Sequence, residues 1–325
     1  MAWDTIQGHE FVKRMWQRHL ADGRIANAYL LAGPEGVGKR RLALELAKAL
    51  NCTAESSRPC DICPCCTTID RQTHPDVHHL MPGGASETIR IDEVRQLLGR
   101  FALRPFSARM QVAIIVQAER FTEEAANSLL KVLEEPSARA LFVLTTSNVS
   151  DCLPTIVSRC QLLRCHALSA DLVAQMLTDT HGCDPQVAAV IARLAAGSAT
   201  RAIALVEQWS AHQQAITRLT QGTLAAWVEQ PLPETRQELI HLLDSMVGWL
   251  RDLTLTASGN RQWIAHTTQE VAIQRQAERL DVDQCVETAF DLMALRDSLE
   301  QFVSPRLVAA LAREKWFSLQ EANGR

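Results

Sequence analysis

The sequence predicts an α/β P-loop domain built on a parallel sheet, then a small helical unit, then an all-helical C-terminal region. Three observations carry this. Short apolar runs at 28–32, 112–116 and 141–145 alternate with helical stretches, the pattern of strands buried on both faces. The first run leads at once into Gly33-Pro34-Glu35-Gly36-Val37-Gly38-Lys39-Arg40, which carries the phosphate-cradling pattern G-x-x-x-x-G-K and opens a helix. After about His166 the pattern turns to helices alone. The expected division is therefore 1–166, 167–209 and 210–325.

In chain order, 8–22 reads as an amphipathic helix through Phe11, Val12, Met15, Trp16 and Leu20, and 41–50 as the helix after the glycine loop. Residues 76–81 read as a second strand, and 91–101 as a helix with Asp92 and Glu93 in its first turn. Val112–Val116 form a third strand, and 122–135 a helix with Thr122 as N-cap and Pro136 as its stop. The fourth and fifth strands fall at 141–145 and 161–164. Helices at 169–181, 185–196 and 200–209 follow, and the remaining helices place Trp227, Trp249, Trp263 and Trp316 at packing positions.

Bulk properties narrow the function. With 47% hydrophobic and 22% charged residues the 325-residue chain is ordinary globular material, and its apolar runs are too short to span a bilayer. A net charge of −4 excludes DNA binding by bulk electrostatics. No secretory signal is visible, so a cytoplasmic location is expected.

Five of the ten cysteines lie between Cys52 and Cys66. Cys52, Cys60, Cys63 and Cys66 offer thiolates at zinc-knuckle spacing, with Cys66 preferred to Cys65 as the last ligand. A loop this short and polar has no core of its own, so structural zinc is the expectation and free thiols the alternative.

The glycine loop lacks what a hydrolase needs. Ser or Thr after the lysine holds the Mg²⁺ of the nucleotide, and here Arg40 offers no acceptor. The acidic pair expected at the end of the third strand is replaced by Val116-Gln117, with Glu119 further on and expected to face solvent. Gly33, Gly36, Gly38 and Lys39 are left as an anion cradle with weak nucleotide binding or none, and Mg²⁺ is not expected. A stand-alone P-loop kinase is disfavoured for the same reason, and a zinc-centred DNA reader for want of a basic recognition helix.

Gly33–Lys39, the four cysteines, His74-Pro75-Asp76, the run N-x-L-L-K-x-L-E-E-P from Asn127 to Pro136, and Ser158-Arg159-Cys160 occur in the order found in one family. In these motifs the chain resembles the bacterial AAA+ clamp-loader subunits of DNA polymerase III, over about its first two hundred residues. The resemblance implies an AAA+ domain, a helical lid and a helical collar that joins a hetero-oligomeric ring with gamma/tau and delta subunits. It implies a part in DNA replication, within a DNA-directed DNA polymerase holoenzyme that loads a sliding clamp onto primed DNA. It also implies that Arg159 is an arginine finger acting in trans on a neighbour's ATP. A motor of this family has an Arg three residues after the Gly-Ser of its lid, whereas here Thr200 holds that place and Arg201 follows it. The expectation is a non-hydrolysing subunit; the alternative is an ATP-hydrolysing gamma/tau-type motor.

Overall fold

The computed structural model describes residues 3, 6–55, 58–83, 87–135, 137, 139–221, 233, 235–300 and 303–323. Pro136 and Trp227 lie outside them. The chain divides into two compact units. One comprises Met1–Leu172 with Gly197–Thr200; the other comprises Val173–Ala196 with Arg201–Arg325. The expected lid segment, 167–209, is thus shared between them.

The first unit holds five parallel strands: β1 (Ala28–Ala32), β2 (Val77–Leu80), β3 (Gln111–Ile115), β4 (Ala140–Thr146) and β5 (Gln161–Arg164), in the order β2-β3-β4-β1-β5. β1, β3 and β4 are buried at every residue, which is why they read as continuous apolar runs rather than alternating ones. One sheet face packs Leu31, Ile114 and Val143 against α1 (Glu10–Asp22) and α2 (Lys39–Asn51). The other packs Leu30, Ala113 and Phe142 against α4 (Ile91–Phe101) and α5 (Glu123–Glu134). Between α2 and β2 lies the short helix α3 (Pro64–Asp70), and α6 (Pro154–Val157) precedes β5. The two-sided parallel sheet is the predicted α/β architecture.

His74-Pro75-Asp76 has a structural role. The Asp76 carboxylate accepts from the N–H groups of Phe106, Ser107 and Ala108 at 2.7, 2.8 and 2.8 Å. Burial would raise its pKa, but these amide donors outweigh it and hold the carboxyl below its ordinary value. The motif therefore pins the 106–108 loop to the start of β2.

The second unit is helical and includes a long central helix, Arg236–Ala257. Trp249 and Trp316 are buried in its core as expected. Trp263 is not: it sits in a short turn, Arg261–Trp263, and is 67% exposed, because that turn lies outside the helical periodicity that would carry it inward. A buried polar chain crosses this core. Asp252 Oδ2 meets His266 Nδ1 at 2.8 Å, His266 Nε2 meets His212 Nε2 at 3.1 Å, and His212 Nδ1 meets Ser245 Oγ at 2.9 Å. Among the described residues no helix is long and apolar enough to cross a membrane.

Burial, and then the adjacent His266, hold His212 down to about 3, so it is neutral in the folded chain. An unfolded histidine titrates near ~6.5. The stability carried by this depressed pKa is complete above that value and is lost as pH falls from there toward the folded value. The second unit is expected to lose about 2 kcal/mol between pH 7.5 and 5. Urea unfolding followed by tryptophan fluorescence at the two pH values checks this. His212→Asn should flatten the loss, and an unchanged loss in that variant would refute the assignment.

Candidate nucleotide and metal sites

The glycine loop joins β1 to α2, and its shape is set by neighbours remote in sequence. A Cβ on Gly33 would lie 1.8 Å from the Cys165 carbonyl oxygen, and one on Gly36 would lie 2.0 Å from Ser198 Oγ. Gly36 also has φ +74°, and its carbonyl accepts the Thr200 N–H at 3.2 Å. On the other side, His9 Nε2 meets the Val37 carbonyl at 2.7 Å. A cleft of about 500 Å³ beside His9 is lined by Phe11, Val12, Leu162, His166 and Leu172.

Lys39 turns back on the loop. Its Nζ donates to the carbonyls of Gly33 at 2.5 Å and Pro34 at 2.6 Å. Burial lowers its pKa, and Cys165, Glu119 and Glu35 oppose that shift. Arg40 stands where a metal-binding hydroxyl would be, and its Nη2 donates to Gln72 Oε1 at 2.6 Å. It is anchored to the turn after α3 and brings a cation to the position a cation-binding group would hold.

At the end of β3, the Val116 N–H bonds to the Leu80 carbonyl, and Gln117 takes a left-handed φ of 57° with its N–H on Thr145 Oγ1. Neither position offers a carboxylate. Glu119 departs from the expectation of a solvent-facing residue. Its Oε1 accepts the Ser147 N–H at 3.0 Å, and its Oε2 is buried without a hydrogen-bond partner. The turn Ala118–Arg120 folds it back over the end of β4, a local bend that strand periodicity does not reveal.

The Thr200 amide is on the glycine loop, whereas Arg201 lines a cleft with Gln208, His241 and Asp244 in the second unit.

Arg159 lies in the turn between α6 and β5. Its Nε donates to Glu134 Oε1 at 2.7 Å and its Nη2 donates to the same oxygen. Its Nη1 donates to the Thr155 carbonyl at 3.0 Å and to Ser158 Oγ at 3.3 Å. The side chain is 31% exposed, at the C-terminal end of α5.

The cysteine group closes on itself. The sulfurs of Cys52, Cys60, Cys63 and Cys66 all lie within 4.8 Å of one another, and Cys65 is not among them. Four sulfurs at a Zn–S length of ~2.3 Å stand about 3.8 Å apart in a tetrahedron. The Cys52–Cys63 separation is 3.9 Å. Ala54, Cys63 and Cys66 direct N–H groups at Cys52, Cys60 and Cys63 Sγ, each at 3.4 Å. Burial would raise the Cys63 thiol, but hydrogen bonds from Thr53 and Cys66 outweigh it and bring it down to about 6. This donor set is able to hold a metal ion.

A buried lysine fastens the group to α2. Lys48 Nζ is 2.7 Å from Glu45, 2.6 Å from Asp61 and 3.2 Å from Asp70. Asp61 lies among the cysteines and Asp70 ends α3, so one ammonium ties both to the sheet's flanking helix. Burial disfavours the Lys48 charge, and its bonds to Asp61 and Glu45 outweigh that and raise its pKa. Sequence reading missed Lys48; the available signal was a lysine between Ala47 and Ala49 on the apolar side of α2.

Residues 8–169 match a family described as DNA polymerase III, delta subunit. The chain is 33% identical over 183 residues to DNA polymerase III subunit delta' of Bacillus subtilis, covering 56% of this chain and 55% of that protein. It is 37% identical over 170 residues to subunit delta' of Pseudomonas aeruginosa, covering 51% and 52%. It is 32% identical over 209 residues to subunit tau of Escherichia coli, covering 62% and 32%. The chain thus spans from about a third to just over half the length of these relatives.

Lys48→Met leaves Asp61 without a cation and leaves Glu45 and Asp70 to Arg41 alone, and should cost about 3 kcal/mol. Thermal unfolding of the variant measures this, and an unchanged midpoint would show that the network is dispensable. Through the segment that carries the glycine loop and the cysteine group, the chain belongs to the DNA polymerase III clamp-loader family.

Proposed function

We propose that the chain is a non-hydrolysing, delta'-like subunit of the DNA polymerase III clamp loader, and that it lends Arg159 to the ATP site of a neighbouring subunit. The observation that carries this reading is Arg40, a cation fixed on Gln72 at the position where a motor holds Mg²⁺. Two further features support it. No carboxylate stands at Val116-Gln117, and Thr200 replaces the lid arginine. Loss of metal coordination alone removes the group that neutralises charge on a transferred phosphoryl. The loop keeps Lys39 and its backbone amides as an anion holder.

Arg159 serves differently. A guanidinium is planar, always charged and forked, so it can stabilise transition-state charge across an interface. The subunits that flank it in this reading are of the gamma/tau and delta kinds, in a ring that acts on a sliding clamp and primed DNA in the cytoplasm. In the same reading the four cysteines hold structural zinc, which shapes the 52–66 insertion and takes no part in phosphoryl chemistry.

The gamma/tau-type motor is the second reading, favoured by the 32% identity to a relative named tau. Reconstitution with gamma/tau and delta subunits separates the two. Arg159→Ala should lower single-turnover hydrolysis at the adjoining site by roughly 10³-fold. Lys39→Ala should leave DNA-stimulated turnover intact, whereas the motor reading requires Lys39→Ala to abolish turnover at the chain's own site. For the metal, the purified chain should contain one equivalent of zinc. Cys63→Ser should lose it and Cys65→Ser keep it, as read by elemental analysis, and equal retention in both would overturn the ligand set.

A further inference from the structure

The surroundings of Arg159 assign a role to Glu134, and the inference rests on the finger reading given above. The Nε/Nη2 edge of a guanidinium is the edge that grips a carboxylate or phosphate through two parallel N–H groups. Here that edge is already taken, since both nitrogens donate to Glu134 Oε1. The opposite nitrogen, Nη1, is spent on the Thr155 carbonyl and Ser158 Oγ. A phosphate arriving from another chain must therefore displace Glu134 to reach the forked edge.

We propose that Glu134 is the positioning residue of Arg159: it is a stand-in anion that keeps the finger docked at the end of α5 and yields it to phosphate. Backbone geometry suits the exchange. Glu134 is the last residue of α5 and Arg159 follows the short α6, so carboxylate and guanidinium project from two chain ends that pack together. The pair is partly open to solvent, with side chains 31% and 49% exposed, so the carboxylate competes without locking the arginine. A phosphate carrying two charges outcompetes one carboxylate for the same edge, and no other bond of Arg159 needs to break. Glu134 touches no nucleotide and acts only through Arg159.

The test uses the full chain in the reconstituted assembly, with wild type, Arg159→Ala, Glu134→Gln and the double variant. Glu134→Gln weakens the competitor while keeping its size. It should lower the KM for ATP by roughly two- to five-fold, the range open to a part-exposed ion pair, with kcat little changed. In the double variant the KM effect should vanish. A purely structural role for Glu134 would lower kcat and leave KM where it was. In the isolated chain, the Arg159 Nε–H resonance should be slow to exchange in the wild type and fast in Glu134→Gln. If Arg159→Ala leaves turnover unchanged, the finger reading fails. If Arg159→Ala cuts turnover but Glu134→Gln leaves KM unaltered, or exchange at Nε is the same in both chains, the role of Glu134 alone is overturned.

Discussion

The close approach of three chain segments at the glycine loop is the constraint on which the nucleotide region depends. Gly33 lies against the carbonyl of Cys165, and Gly36 lies against Ser198 and takes the Thr200 amide. Side chains at these two positions would force the segments apart, so the residues serve the fold whether or not a phosphate is bound. With the loop stitched in this way, Lys39 finds its partners in the carbonyls of Gly33 and Pro34, and Arg40 finds its own in Gln72. The phosphate-cradling pattern is thus retained as a turn between strand and helix. In the proposed reading Arg40, next to the lysine, turns this loop away from metal binding.

The cysteine insertion depends on a different interaction, the burial of Lys48 among three carboxylates. An ion network out of water is costly unless each charge is met, and removing its buried cation is worse than removing the whole group, since Arg41 at the rim reaches only Glu45 and Asp70. It holds Asp61 beside the sulfurs and Asp70 at the end of α3, so the ligand loop has a fixed base without a core of its own. Hydrogen-bond donors bring the Cys63 thiol down, whereas burial raises those of Cys52 and Cys66, and a thiophilic cation would supply the charge that offsets this.

How far the sequence discloses these features depends on their physics. β1, β3 and β4 were legible because two-sided burial demands unbroken apolar runs, and the glycine loop because its spacing is fixed by backbone geometry. The four cysteines could be grouped by spacing alone, and their sulfurs do converge. Side chains whose partners are remote were not legible. Lys48 meets Asp61 and Asp70 across the insertion, Asp76 meets amides thirty residues away, and Glu119 is folded back by a turn no periodicity reports. Trp263 was misplaced for the related reason that a tryptophan's size argues for burial while its short turn does not supply it. Arg159 was singled out by its motif alone, but its docking on Glu134 depends on how α5 and α6 pack.

The proposed role turns on whether the glycine loop can recruit a metal to a nucleotide. Calorimetric titration of the purified chain with ATP, with and without Mg²⁺ and paired with a phosphate-release assay, tests this most directly. With Arg40 in the metal position, affinity should be weak and no tighter with Mg²⁺ than without, and no phosphate should be released. Binding that tightens sharply with Mg²⁺ and is followed by steady phosphate release would contradict it.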